Sequence, residues 1–274
     1  MDAVSQQNKQ LWNELARQGV VCSQPKLGLT PEQAHQYLNK HGFYPASLAG
    51  KNVLCLASGG GQQSISFALL GAQVTVVDFS QVQLEKDQLA AAAYNKPIRI
   101  ILSDMRDLSF SPAEAFDIVY QPYSINYLSS VEEVFNEVAR VLKPQGVYDL
   151  MFHNPYVHGS WKDGCWGLEW QAEELWQGKG YPLWQPYQEG YPVKTVDAHW
   201  NFTNPENQAV QVTSPQEFKH TMATVINGLI ARGFEILSWQ EEVGSDYTSK
   251  PGTWEHYTTC APPWIYLLSR KKAS

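Results

Sequence analysis

The chain has 274 residues, 43% of them hydrophobic and 17% charged, and a net charge of −7. That size and composition build one large domain, or a domain with an insertion, around a packed core. The acidity argues against broad contact with nucleic acid or an anionic membrane surface.

No apolar run approaches the ~18 residues of a membrane span, and the opening MDAVSQQNKQ lacks the apolar stretch of a secretory signal. Cys22, Cys55, Cys165 and Cys260 show neither CxxC pairing nor zinc-ligand spacing, so no metal site is expected. A reducing cytoplasm is the expected setting.

Taken in order, residues 5–18 carry Leu11, Trp12 and Leu15 at helical spacing, with Trp12 read as packing. Thr30-Pro-Glu-Gln33 opens a second helix through a capping box with proline in the first turn. The period then changes. Asn52–Ala57 reads as a buried strand that breaks into Gly59-Gly60-Gly61, and a helix follows with Ile65, Phe67 and Leu69.

Gln73–Phe79 is a β-branched strand, Ser80 caps the next helix, and Ile98–Leu102 and Phe116–Gln121 are strands three and four. Ser130-Val-Glu-Glu133 opens a helix by a capping box, and Gly146–Phe152 is strand five. Strands alternating with helices at this spacing predict a parallel sheet covered on both faces, with ligands along the carboxyl edge of its strands.

The alternation breaks over 155–210, which holds six of the ten tryptophans: Trp161, Trp166, Trp170, Trp176, Trp184 and Trp200. His199–Thr203 reads as an isolated strand. Ser214-Pro-Gln-Glu217 predicts a capped helix running to Gly233, and Phe234–Val243 and Pro263–Arg270 are two final strands. The expected organisation is an N-terminal helical cap over 1–49, a core over 50–154 and 211–274, and an insertion over 155–210 that folds over the sheet edge as a lid.

Strand, glycine loop and helix start together make an anion-friendly site, because free N–H groups point outward there. Asp78 ends the neighbouring strand, where a carboxylate accepts hydrogen bonds from a ribose. Asp104 ends the third strand, placed for an adenine amino group, with Met105 facing the ring. Gln121 ends strand four; Tyr123, Ser124 and Asn126 follow it, and His153 and Asn154 follow strand five, so these two sets rim the far end of the ligand. An imidazole titrates near neutrality, which suits His153 to a base. The aromatic insertion suits a flat or cationic organic molecule.

These residues carry a resemblance. Val53-Leu-Cys-Leu-Ala-Ser-Gly-Gly-Gly61, the V-V-D-F-S run ending in Asp78-Phe79-Ser80, the Asp104-Met-Arg-Asp-Leu108 run and the FDIV…EVARVLKPQG stretch from Phe116 to Gly146 resemble class I S-adenosylmethionine-dependent methyltransferases of the bacterial small-molecule type. The resemblance covers about two-thirds of the chain, with Cys55 standing where the family has an acid and Ala57 where it has its first glycine.

It implies a Rossmann-like α/β fold with a seven-stranded, mostly parallel sheet, and S-adenosyl-L-methionine as cofactor. By the same token the cofactor is held by Ala57, Ser58, Gly59, Gly60, Gly61, Asp78, Phe79, Asp104, Met105 and Gln121. Tyr123 and His153 are then the candidate catalytic residues, and Asn126, Asn154, Trp161 and Trp200 the candidate substrate contacts. With the acid missing, Gln62 and Gln63 face the ligand or cap the helix.

Methyl transfer is an in-line displacement that needs alignment and exclusion of water more than a catalytic triad. The expected function is methylation of a small organic acceptor at O or N. Two alternatives stay open at this point: a nicotinamide-dependent oxidoreductase using the same loop and Asp78, and a non-catalytic S-adenosylmethionine-binding module.

Overall fold

Local sequence signals set most element boundaries in the computed structural model, which describes residues 1–159, 181, 183, 185–194, 199–203 and 208–273. Helix α1 (Ala3–Arg17) starts at Asp2, whose carboxylate accepts the Ser5 N–H, and buries Leu11, Leu15 and Ala16. Helix α2 (Pro31–Leu38) has the full Thr30/Gln33 capping box and a proline at its start.

Strand β1 (Asn52–Leu56), helix α3 (Gln63–Leu69), strand β2 (Gln73–Asp78), helix α4 (Gln81–Tyr94, capped by Ser80) and strand β3 (Ile98–Leu102) follow as right-hand alternation requires. Strand β4 (Phe116–Gln121), helix α5 (Glu132–Val141) and the twelve-residue strand β5 (Leu142–His153) complete the parallel half.

Strands β6 (His199–Thr203) and β7 (Ala209–Thr213) form a separate antiparallel pair. Helix α6 (Met222–Ile230), strand β8 (Phe234–Glu241), helix α7 (Trp254–Cys260) and strand β9 (Trp264–Lys271) end the described chain.

The main sheet has seven strands in the order β3-β2-β1-β4-β5-β9-β8, with β9 antiparallel to both neighbours. This is the expected open, mostly parallel Rossmann-like sheet. Its order reverses between β1 and β4, which opens a crevice at the carboxyl ends of those strands. One face packs against α5 and α6 through Val134, Phe135, Val138, Val225 and Leu229. The other packs against α2, α3 and α4 through Leu38, Ile65, Phe67, Leu84 and Ala90. Cys55 is fully buried on that second face, a core residue.

Four local expectations change. The helix predicted from Ser214 begins at Met222, and its cap is Thr221. Residues 214–220 instead run as irregular chain: Phe218 N–H donates to the Asn126 carbonyl at 2.7 Å and Val193 N–H to the Glu217 carbonyl at 2.8 Å. Those tertiary bonds outweigh a local capping pattern.

Helix α5 begins without a side-chain cap bond, because Ser130 Oγ reaches only the Glu132 N–H at 3.3 Å. The strand at His199–Thr203 is paired rather than isolated, and Val210 and Val212 of its partner pack under α1 with Leu11 and Leu15. Helix α7 went unpredicted; Thr253 caps it and Tyr257 is its buried anchor.

Candidate functional site

At the end of β1 the chain turns through Ala57, which sits in the left-handed region at φ 47°, into the three glycines. A Cβ on Gly59 would lie 2.8 Å from the Gln83 Cβ and 3.0 Å from Asp78 Oδ2, so only glycine fits there. The Gly59 N–H donates to Asp78 Oδ2 at 3.0 Å, and the Ser80 N–H donates to Asp78 Oδ1 at 2.8 Å. Burial pushes the Asp78 carboxyl up to about 6 despite those donors.

The loop's anchor lies in α4. Asp87 is fully buried, accepts the Gly60 N–H at 2.9 Å and takes the Ser64 hydroxyl. Burial pushes its carboxyl up to about 7. Gln62 ties the loop to the segment after α1, donating to the Cys22 and Gln24 carbonyls at 2.8 and 2.9 Å. Gln63 donates to the Tyr37 hydroxyl at 3.2 Å. Gln62 makes no side-chain cap bond at the start of α3, and both glutamines border the cavity above the loop.

A cavity of about 400 Å³ opens over this loop. Ala57, Ser58, Gly59, Asp78, Phe79, Asp104 and Met105 line one end of it. Gly60 and Gly61 do not: they pack toward α4, and a Cβ on Gly61 would stand 2.6 Å from the Lys86 carbonyl. Asp104 is gripped by Arg106, with Nε at 2.9 Å and a terminal nitrogen at 2.6 Å. That guanidinium holds the Asp104 carboxyl below its ordinary range and reaches on to Asp2 at 2.7 Å and Ser5 at 3.0 Å, pinning α1 beside the cavity. Trp12 of α1 lines the cavity as well as packing edge-on against Tyr127 at 5.8 Å.

Gln121 is buried behind the wall. Its amide donates to Ser124 Oγ at 2.9 Å and to the Met105 sulfur at 3.3 Å, and its carbonyl oxygen takes the Tyr148 hydroxyl.

Past β4 the cavity meets Tyr123, whose hydroxyl donates to Glu217 Oε1 at 2.7 Å. Glu217 Oε2 lies 3.2 Å from His158 Nε2, and His158 stacks on His153 at 4.0 Å. Burial pushes the Glu217 carboxyl up to about 7 and both imidazoles well below their ordinary value; the neighbouring positive charge of Lys219 adds to the fall at both rings.

His153 therefore stands behind Tyr123, off the cavity surface, with its ring edge-on to the Tyr123 ring at 5.9 Å. Asn126 is fully buried, accepting the His153 N–H at 2.9 Å and donating to the Phe218 carbonyl at 3.0 Å. Asn154 donates to the Pro262 carbonyl at 2.9 Å and accepts the Tyr156 N–H at 3.2 Å. Neither asparagine lines the cavity. Trp200 in β6 pairs through its backbone with Val212 of β7, and Trp161 lies outside the described residues.

At the other end the cavity runs over the sheet face. Register places Cys55, Tyr120 and Asp149 side by side on adjacent strands, hence on one face. Asp149 accepts the Tyr44 hydroxyl at 2.5 Å, and burial pushes its carboxyl up to about 7. Sequence reasoning missed Asp87, Asp149 and Glu217. An acid inside the apolar run Gly146–Phe152 was the available signal for Asp149.

Residues 54–149 match a methyltransferase domain family. The chain is 31% identical over 198 residues to the uncharacterized methyltransferase YbaJ of Bacillus subtilis, covering 72% of this chain and 71% of that one. It is 33% identical over 110 residues to a ubiquinone biosynthesis O-methyltransferase of Chromobacterium violaceum, 40% of this chain and 46% of the relative. Among solved structures, an S-adenosylmethionine-dependent methyltransferase from Mesorhizobium loti superposes with a TM-score of 0.61 at 20% identity, covering 87% of this chain and 98% of that one.

Proposed function

The chain belongs to the class I S-adenosylmethionine-dependent methyltransferases, and on that premise we propose that it methylates a small organic acceptor held in the same cavity as the cofactor, working mainly by positioning. Family membership sets aside the nicotinamide-dependent and non-catalytic readings of the glycine loop.

The residues fit S-adenosylmethionine. A Cβ on Gly59 would press on Asp78 and Gln83, two residues that line the cavity, so the bare backbone keeps them in place. Asp78 keeps acceptor capacity beyond its backbone donors at Gly59, Phe79 and Ser80, and among the described residues the Gln83 side-chain oxygen beside the loop has no hydrogen-bond partner. When bound, the cofactor supplies an activated methyl group on a sulfonium with a neutral leaving group.

In this reading Asp78 accepts the ribose hydroxyls, and Phe79 and Met105 flank the base. Asp104, fixed by Arg106, offers its remaining lone pairs to the adenine amino group. Tyr123 faces the acceptor, held by Glu217. The observation that carries the reading is the continuity of one cavity from Asp78 and Asp104, past Tyr123, to Asp149. An aligned acceptor in a water-poor space is what the displacement needs.

Calorimetric titration with S-adenosylmethionine, S-adenosylhomocysteine and NAD tests the cofactor assignment. Both adenosyl ligands bind the wild type, and Asp78→Ala weakens S-adenosylhomocysteine at least about tenfold, the scale of one lost charge-assisted contact pair. NAD binding without S-adenosylhomocysteine binding overturns it. Turnover confined to macromolecular acceptors overturns the small-molecule assignment.

A further inference from the structure

The compartment around Asp149 has a chemistry of its own. Asp149 is 5% exposed and lines the cavity. One oxygen accepts the Tyr44 hydroxyl. Among the described residues no lysine, arginine or histidine forms an ion pair with the carboxylate. A buried carboxylate without a cation is costly, and folded chains supply a counter-ion, a proton or a ligand.

The walls beside it are aromatic: Tyr37, Tyr120 and Tyr266 all line the same space. The hydroxyls of two of them are engaged at the periphery, Tyr37 with Gln62 at 3.2 Å and Tyr266 with Glu242 at 2.5 Å. The Tyr120 hydroxyl has no hydrogen-bond partner among the described residues, while its ring is braced edge-on by Phe67 at 5.4 Å. Lys40 and His41 also border the cavity, and His41 Nδ1 is taken by Gln240 at 2.8 Å.

A buried carboxyl among tyrosine rings, able to give up its proton to a bound cation, is complementary to an organic cation, by ion pairing and by cation–π attraction. An anionic acceptor gains nothing from this carboxyl in either protonation state, and a neutral alcohol offers it a hydrogen bond but no ion pair. Nor is the carboxylate placed for the glycine loop, since β5 lies two strand spacings from β1, about 10 Å.

We propose that the methyl acceptor carries a protonated amino group, and that Asp149 with Tyr37, Tyr120 and Tyr266 forms the pocket that binds it. The proposal rests on the methyltransferase reading above and deepens it to a substrate class.

The test uses the full chain saturated with S-adenosylhomocysteine, with benzylamine, phenethylamine, benzyl alcohol and benzoate as probes, read by saturation-transfer NMR and calorimetry. The amines bind at least tenfold tighter than the alcohol, and benzoate binds weakest. Asp149→Asn abolishes that preference and leaves the S-adenosylhomocysteine affinity within twofold.

Equal binding of amine and alcohol by the wild type, no amine binding at millimolar concentration, or a preference that survives Asp149→Asn overturns the proposal. So does an Asp149→Asn variant that weakens S-adenosylmethionine but not S-adenosylhomocysteine, which assigns the carboxylate to the sulfonium. The wild-type comparison stands if the variant does not fold, and Tyr44→Phe, which keeps the carboxylate, retains the amine preference. Failure of the wild type to bind S-adenosylhomocysteine strikes the methyltransferase reading instead.

Discussion

The Tyr123 hydroxyl and Glu217 Oε1 meet at 2.7 Å across 94 positions of sequence, and this bond fixes a cavity-facing phenol to a buried carboxylate. Among the described residues the other side-chain partner of the Glu217 carboxylate is His158, so the phenol is its principal donor. Tyr123→Phe leaves Glu217 Oε1 buried without a donor and lowers unfolding free energy by about 1–3 kcal/mol. Urea denaturation measures it, and an unchanged midpoint removes the bond from the stability of the site. S-adenosylhomocysteine affinity stays close to wild type, because Tyr123 is assigned to the acceptor and not to the cofactor.

Asp149 makes stability depend on pH in a defined direction. Its carboxyl moves from 3.8 to about 7 on folding, so the folded state holds the proton more tightly. The favourable contribution is complete below the unfolded pKa and is lost as pH rises through about 7. His153 and His158, held neutral, give the opposite trend below their ordinary value.

The difference between Asp149→Asn and wild type isolates the carboxyl from those histidines. The variant gains relative stability from pH 4 to pH 7, levelling at up to about 4 kcal/mol above that. Urea unfolding at pH 5, 6, 7 and 8 tests it, and a flat difference means that Asp149 titrates normally in the fold.

Two glycines separate site geometry from backbone strain. Gly59→Ala drives a Cβ into Gln83 and Asp78, so it displaces the carboxylate assigned to the ribose and weakens S-adenosylhomocysteine at least about tenfold. Gly28, unlike Gly59, has a left-handed backbone, at φ +78°, and nothing lies within 4 Å of a Cβ there. Gly28→Ala costs only conformational strain, about 1 kcal/mol, with unchanged ligand affinity. Equal effects on binding in calorimetry would mean that the loop tolerates the side chain.

The parallel half of the fold was legible because short β-branched runs, glycine breaks and Ser or Thr caps recur at the right spacing, and Asp78 and Asp104 sit where such strands end. What stayed hidden depends on partners distant in sequence. Glu217 looked like the third residue of a helical turn, and its pairing with Tyr123 and His158 draws it inward. Asn154 follows strand five and His153 is its last residue, yet both side chains lie off the cavity: Asn154 donates to the Pro262 carbonyl, and the His153 ring stacks on His158. Periodicity reports which residues are buried; it does not report which side of a cavity wall they occupy.

Asp87 supports the last expectation. With Cys55 in β1, the glycine loop has no acid beneath it on its own strand, and the carboxylate comes from α4 instead, receiving Gly60 N–H and the Ser64 hydroxyl. Asp87 does not line the cavity, so any effect on ligand binding must pass through the loop. Asp87→Asn presents an amide donor to one of those two donors and breaks the pair, at a cost of about 1–3 kcal/mol.

The consequence is a roughly tenfold loss of S-adenosylhomocysteine affinity, with faster hydrogen exchange at the Gly60 amide. Ser64→Ala removes one bond and leaves the Gly60 contact, so its loss of affinity is smaller. Hydrogen exchange and calorimetry on the two variants check the order. If Asp87→Asn leaves both Gly60 protection and affinity unchanged, the loop is held by its own glycines and by Gln62, and the α4 carboxylate is only a buried polar group of the core.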